Sequence, residues 1–151
     1  QALALSTVKV SSLKLIIFAS LFPGIFVWSH PISTGNVVKD LLEQIVAFAL
    51  LFVLLYVSLR KRGKHFELEL FEDRVAGPGQ GFLQRNRCEI LITEIKKDSL
   101  PDPAKPIIIF RDQKLRIVGN GGGEIVTAYF IYDLEELRRF LFALRERVKA
   151  V

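Results

Sequence analysis

The sequence predicts a helical membrane hairpin of two spans followed by a small α+β domain. Two long apolar stretches occupy the first 59 of the 151 residues. After Lys64 the pattern changes to the alternation of apolar and polar residues that is typical of strands, and the chain ends in an amphipathic helical repeat. We therefore predict the hairpin over residues 1–64 and the second domain over residues 65–151.

The first span is predicted over about residues 11–28. Leu15 to Trp28 contains no charged residue, Lys14 lies near the start, and Trp28 is suited to a membrane interface. At about 1.5 Å per residue, a helix of about 18 residues nearly crosses a hydrocarbon core of about 30 Å. A secretory signal peptide is the alternative, but no small-x-small cleavage site follows Trp28.

The second span is predicted over about residues 41–59. Its strongly polar residues, Glu43 and Gln44, lie in the first turn, and the apolar run from Ile45 continues to Leu59. The two polar side chains either lie at the interface or hydrogen-bond another membrane helix. A buried helix of a soluble protein is the alternative, but a chain of this length is too short to cover two such helices.

The net charge of +5 belongs to the apolar half of the chain. Residues 1–64 carry seven basic and two acidic residues, which leaves residues 65–151 neutral. A nucleic-acid-binding protein carries its positive charge on the folded polar domain, so we predict no nucleic-acid partner. Because basic flanks mark the cytoplasmic side, both termini and the domain are predicted in the cytoplasm, with the loop over residues 29–40 outside.

A basic cluster follows the second span and consists of Arg60, Lys61, Arg62 and Lys64. Such a cluster is the usual signal that fixes the orientation of a span. It also attracts anionic lipid headgroups, by about 1 kcal/mol per basic residue close to the surface. The two interpretations are compatible, so the cluster is both the predicted topology signal and the predicted lipid contact.

The second domain is predicted to consist of short antiparallel strands and one closing helix. Asp133 and Glu136 form a capping box, and a leucine-rich stripe with Phe140 follows at helical spacing. Gly119 to Gly123 is predicted as a hairpin turn rather than a phosphate-binding loop, because a strand follows it. The predicted strands cover residues 65–71, 74–76, 87–95, 106–110, 114–118 and 124–132.

This order of elements resembles a pleckstrin-homology-like (PH-like) domain. The segments that carry the resemblance are HFELELFEDRV, PIIIFRDQKLRIV and YDLEELRRFLFALRERV. The resemblance extends to bacterial membrane proteins in which two transmembrane helices precede such a domain. It implies a bent antiparallel sheet, or partial barrel, capped by the C-terminal helix, and a location in the bacterial inner membrane.

The sequence carries no recognisable catalytic set. The single cysteine, Cys88, excludes an intrachain disulfide, and its place on an apolar strand face indicates a buried, inert thiol rather than a nucleophile. His30 and His65 lack neighbours at metal-ligand spacing. We therefore predict no catalytic residue, no metal and no cofactor.

The expected function is that of a non-catalytic accessory or scaffold subunit of a larger membrane protein complex. Its domain would dock a partner at the cytoplasmic face, and its spans would pack against helices of other subunits. The alternative is a module that binds or senses anionic lipid. A membrane enzyme or transporter component is a third reading, for which Glu43 is the sole acidic residue in either span.

Overall fold

The computed structural model describes residues 3–31, 33–80, 86–104 and 114–151. The chain forms two compact units. The hairpin unit is Ser12–Arg62, and the sheet unit combines Gln1–Ser11 with Gly63–Val151. The predicted strand over residues 106–110 lies outside the described residues.

The hairpin unit contains α1 (Ser12–Ser29) and α2 (Val37–Gly63). Ala19 and Pro23, one turn apart on α1, are buried, and a Cβ on neighbouring Gly24 would lie 3.9 Å from the ring of Phe48. Phe48 begins a ladder of stacked rings along α2 that continues through Phe52 and Tyr56, with centroids 6.2 and 6.0 Å apart. Small residues on α1 therefore face aromatic residues on α2.

The second helix is longer at both ends than the predicted span. Asn36 accepts hydrogen bonds from the backbone N–H groups of Val38 and Lys39 and so caps the helix. The helix therefore begins at Val37, four residues before the predicted start. At the other end α2 runs through the basic cluster to Gly63, because lysine and arginine are good helix formers and are favoured near a helix C-terminus. A 3₁₀ turn over Lys64–Phe66 follows.

Both helices are long and apolar enough to cross a membrane. The first has a mean hydropathy of 1.7 over 18 residues, and the second reaches 2.2 within the 30-residue stretch that includes the 3₁₀ turn. The two predicted apolar helices are thus confirmed as elements.

The sheet unit holds a four-stranded antiparallel sheet in the order β1-β2-β3-β4, a two-stranded sheet β5-β6, and the helix α3. Thr7 pairs with Glu69, Val75 with Ile90, and Ile117 with Ile125. The bounds are β1 (Ser6–Val8), β2 (Leu68–Leu70), β3 (Arg74–Pro78), β4 (Arg87–Leu91), β5 (Lys114–Val118), β6 (Glu124–Ala128) and α3 (Leu134–Ala150).

Three predicted strands are shorter in the structure, and one is longer. The strand predicted over residues 65–71 is reduced to β2, because the chain forms the 3₁₀ turn Lys64–Phe66 before it. The strand predicted to end at Ala76 continues as β3 to Pro78. The chain leaves β4 at Leu91 and forms a 3₁₀ turn over Ile92–Glu94, and it leaves β6 at Ala128 for a 3₁₀ turn over Tyr129–Ile131. Ile92 continues the apolar alternation into the first turn, and a run of aromatic and β-branched residues continues through the second, which is why the patterns predicted longer strands. The structure contains antiparallel strands and a capped C-terminal helix, as expected.

The first strand changes the domain boundary. The predicted division at residue 64 assigned residues 1–11 to the hairpin, whereas β1 pairs with β2 and its Val8 is buried in the core of the sheet unit. The sheet unit is therefore built from both sides of the hairpin, and the hairpin is an insertion between its first two strands.

One core joins both sheets and α3. Gly77 on β3 allows a close approach between the two sheets, because a Cβ there would lie 2.8 Å from side-chain carbons of Ile125 and Leu68. The core residues are Val8, Leu68, Leu70, Val75, Ile90, Ile92, Ile95, Leu115, Ile117, Ile125, Tyr132, Leu137, Phe140, Leu141, Leu144 and Val148.

Candidate functional site

The chain leaves the sheet unit at Ser11 and returns to it at Gly63. These two passages are adjacent, since a Cβ on Gly63 would lie 3.8 Å from the Cβ of Val10. We call the bonded residues of the two passages and their partners the junction. The junction consists of Val10, Ser11, Lys64 and Phe66, with the partners Arg87, Ile131 and Tyr132.

The outgoing passage is held by the segment after β6. The backbone N–H of Ser11 donates to the carbonyl of Ile131 at 3.0 Å, and Val10 forms an antiparallel bridge with Tyr132. Because α1 begins at the next residue, Ser12, no unbonded residue separates the sheet unit from the first helix.

The returning passage is held by two side chains. Arg87 on β4 donates from Nη1 to the carbonyl of Lys64 at 3.0 Å, and its Nη2 pairs with Glu69 at 2.5 Å. The guanidinium of Arg87 thereby satisfies the first carbonyl of the 3₁₀ turn. The second holder is Tyr132, whose hydroxyl donates to the carbonyl of Phe66 at 2.5 Å.

Tyr132 therefore ties both passages to the core. Its side chain is fully buried, and its hydroxyl lies 2.8 Å from that of Thr127. Since the tyrosine proton is donated to Phe66, the threonine hydroxyl is the donor in this second bond. Burial raises the pKa of Tyr132 above its ordinary value, and the hydrogen bond from Thr127 and the charge of Arg87 offset part of that rise.

The basic cluster predicted from the sequence surrounds the end of α2. Arg60, Lys61 and Arg62 form its last turn and Lys64 opens the 3₁₀ turn. All four residues are exposed, and none takes part in an ion pair among the described residues. The cluster is thus a solvent-facing group of cations next to the junction.

Glu43 and Gln44 lie in the second turn of α2, one turn before the aromatic ladder. Both are half-buried, and Gln44 lies one turn before Phe48 on the same side of the helix. Glu43 is 3.8 Å from Lys39, an ion pair one turn apart near the start of the helix. The structure therefore gives Glu43 a partner within its own helix.

The remaining candidate groups are dispersed. Cys88 is half-buried rather than fully buried, with its Sγ 3.4 Å from the position of a Cβ on Gly123. His30 stacks on Phe26 at 5.0 Å and lies 2.8 Å from the hydroxyl of Ser29, whereas His65 is exposed. Among the described residues no group of three or more His, Cys, Asp or Glu is placed to hold a metal ion.

One shallow depression, open to solvent, lies beside the turns that follow β4 and β5. It contains two lysines and one carboxylate, and none of its residues takes part in the junction. Its lining is Thr93, Ile95, Lys96, Lys97, Asp98, Ser99 and Asn120. Nothing in its chemistry indicates catalysis.

Sequence reasoning missed β1 and the role of Tyr132. The alternation of Val8 and Val10 with polar residues in STVKV is a strand signal, although a short one. No such signal exists for Tyr132, because its partner Phe66 is 66 residues away in the chain.

No protein family model matches this chain, and neither a curated protein nor a solved structure matches it. The PH-like architecture therefore stays a prediction from strand order and the closing helix.

Proposed function

We propose that this chain is an integral membrane protein that serves as a non-catalytic accessory or scaffold subunit of a larger membrane complex. The hairpin crosses the membrane twice, and the sheet unit, a PH-like domain on this proposal, docks a partner at the cytoplasmic face. Support for the membrane location comes from the exposed apolar surface of both helices, which water does not tolerate over such lengths.

The observation that carries the docking role is the junction. Both passages between the sheet unit and the hairpin are hydrogen-bonded into the sheet unit at their last residues. Because the residues of both passages are already ordered within the sheet unit, binding of a partner would have little chain there to order, and such preorganisation favours binding. A long flexible tether would instead suit a domain that searches for distant ligands.

The sheet unit also presents large apolar side chains to solvent. Leu91 on β4 is 45% exposed and Phe142 on α3 is 47% exposed. Exposed aromatic and aliphatic residues of this size are the usual anchors of protein interfaces. They are the first candidates for contact with a partner subunit.

Solubilisation in mild detergent followed by size measurement tests this proposal. We expect the 17.1 kDa chain to migrate as part of a larger, stoichiometric assembly. Phe142→Arg or Leu91→Arg should release the chain from that assembly. Lys149→Gln, which like Phe142 lies on α3, should leave the assembly intact. A monodisperse monomer from native membranes would refute the scaffold role.

The alternative function, binding of anionic lipid, is favoured by the exposed basic cluster. It predicts that the full chain purified from mixed membranes retains anionic lipid in excess of its share. Neutralising Lys61 and Arg62 with glutamine should abolish that excess, whereas the same change at Lys39, at the other end of α2, should not. An unchanged lipid profile in the first variant would remove the support for this alternative.

The proposed orientation has its own test. Both variants are made in a Cys88→Ser background and treated with a membrane-impermeant maleimide. Ser33→Cys, in the loop, should be labelled in intact cells. Glu72→Cys, in an exposed turn of the sheet unit, should be labelled only after the cells are lysed. The reverse pattern would place the sheet unit outside.

A further inference from the structure

The turn between β6 and α3 exposes an aromatic residue beside the junction. Phe130 is the middle residue of the 3₁₀ turn Tyr129–Ile131, and its side chain is 43% exposed. Its neighbour Ile131 accepts the hydrogen bond from Ser11, the last residue before α1. Phe130 therefore lies one residue from the point where the chain leaves the sheet unit.

The depth of that point follows from the helix geometry. The apolar run of α1 begins at Leu15, four residues after Ser11, and that of α2 ends at Leu59, four residues before Gly63. Four helical residues rise about 6 Å, and the headgroup layer on each side of a bilayer is also about 6 Å thick. If the hairpin crosses the membrane, the distance from Leu15 and the distance from Leu59 both place the junction at the level of the lipid headgroups.

On this basis, and resting on the proposed membrane location, we propose that Phe130 enters the headgroup layer and that the turn Tyr129–Ile131 is a lipid-contact surface of the sheet unit. An aromatic ring is well suited to this position, because aromatic side chains concentrate at the membrane–water interface. Lys9, exposed next to Val10 of the junction, supplies positive charge that attracts lipid phosphates.

This surface differs in kind from the basic cluster. The cluster acts through charge and is weakened by salt, whereas contact through Phe130 depends on the burial of apolar area and persists in high salt.

The single tryptophan of the chain makes this measurable. In the full chain with Trp28→Phe, the change Phe130→Trp places the one fluorophore at the turn. We reconstitute this variant in phosphatidylcholine vesicles that carry a nitroxide on the headgroup. We expect its tryptophan emission to be quenched and to lie at a shorter wavelength than that of free tryptophan in buffer. The quenching should be unchanged in high salt.

Phe142→Trp in the same background is the matched control. The side chain of Phe142 is exposed to a similar extent as that of Phe130, but it lies on α3 and not in the turn beside the junction. Its emission should keep its intensity in the nitroxide vesicles. Equal quenching at both positions, or quenching at position 142 alone, would overturn the proposal, as would an unquenched fluorophore at position 130.

The unmodified chain separates failure of this proposal from failure of the membrane location. Its Trp28 lies in the last turn of α1, and the fluorescence of this residue should be quenched by nitroxide lipids whenever the hairpin is inserted. A quenched Trp28 with an unquenched fluorophore at position 130 refutes the contact alone, and an unquenched Trp28 refutes both. If Phe130→Trp fails to fold, Phe130→Cys with Cys88→Ser, carrying a polarity-sensitive dye, answers the same question.

Discussion

The hairpin unit and the sheet unit place their apolar side chains in opposite ways. Nineteen of the 25 large apolar residues that are exposed in the described part of the chain lie between residues 12 and 62. The sheet unit instead buries 16 core residues beneath two sheets and a helix. The hairpin thus exposes most of its large apolar side chains, the sheet unit buries most of its own, and the chain passes between the two units twice.

This contrast shows where each unit takes its stability. On the proposed membrane location, hydrocarbon would cover the outer faces of the helices, so the hairpin would require little internal packing. The sheet unit depends on burial of its own residues, and one of these, Val8, precedes the hairpin in the sequence. Changes to the sheet unit should therefore cost stability that equivalent changes to the hairpin do not.

The largest effect is expected from removal of β1. A chain of residues 65–151 lacks Val8, whose burial alone contributes about 1.5–3 kcal/mol, together with the pairing of β1 with β2. We expect it to lose cooperative unfolding in urea. A chain that joins residues 3–11 to residues 63–151 through a short Gly-Ser linker should regain it, because the two passages are adjacent. Equal stability of the two chains would contradict the role of β1.

The missing strand also shows what a sequence can predict here. The apolar stretches identify α1 to within one residue, and the capping box identifies α3, because both signals are local. A strand of three residues provides too few positions for alternation to be distinctive, and its partner follows more than 50 residues later. Its pairing depends on tertiary contacts that a local pattern does not contain.

Phe140→Ala gives the next largest effect and tests the contrast directly. Phe140 is fully buried in the core, so its truncation leaves a cavity and should cost about 3–5 kcal/mol. Phe22→Ala removes the same atoms from the exposed face of α1 and should leave the sheet unit unaffected. Urea unfolding of the full chain in mild detergent, followed by hydrogen exchange at the amides of β3, measures both. A similar loss in both variants would show that the units are not independent.

Tyr132→Phe tests the junction and should cost about 1–3 kcal/mol, because Thr127 and the carbonyl of Phe66 lose a buried partner. Tyr129→Phe, in the preceding turn, is the matched control and should change stability little. Combining Tyr132→Phe with Thr127→Val should cost less than the two single changes added together, since the two hydroxyls share one bond. Additive losses would show that they act separately.

The same tyrosine predicts a pH dependence. Its pKa is raised in the folded chain, so above about pH 10 the unfolded chain releases this proton while the folded chain retains it. Stability from this group is therefore complete below pH 10 and falls above it, by at most about 1.4 kcal/mol per pH unit. Wild type should lose stability between pH 10 and 11 faster than Tyr132→Phe does, and parallel curves would refute the assignment.

The candidate site was predictable in part. The basic cluster and the polar pair Glu43 and Gln44 could be identified because they interrupt apolar runs. Tyr132 could not, because it sits in an apolar, aromatic stretch that predicts burial and does not indicate what its hydroxyl binds. The junction depends on bonds that join residue 10 to 132, residue 66 to 132 and residue 64 to 87, which only the folded chain brings together.

The smallest expected difference is between the two helix caps. Asp133 accepts hydrogen bonds from the N–H groups of Glu135 and Glu136, and Asn36 does the same for Val38 and Lys39. Asp133→Ala should destabilise the sheet unit by about 1 kcal/mol, because α3 melts with the rest of its core.

Asn36→Ala removes an equivalent cap from α2, but on the proposed membrane location this helix would have no unfolded alternative in which its backbone is solvated. The loss should therefore stay within the first turn, as faster hydrogen exchange at Val38 and Lys39 with no change at residues farther along α2. If Asn36→Ala instead speeds exchange along the whole of α2, the hairpin is held together by its own local bonds, and the contrast drawn between the two units is wrong.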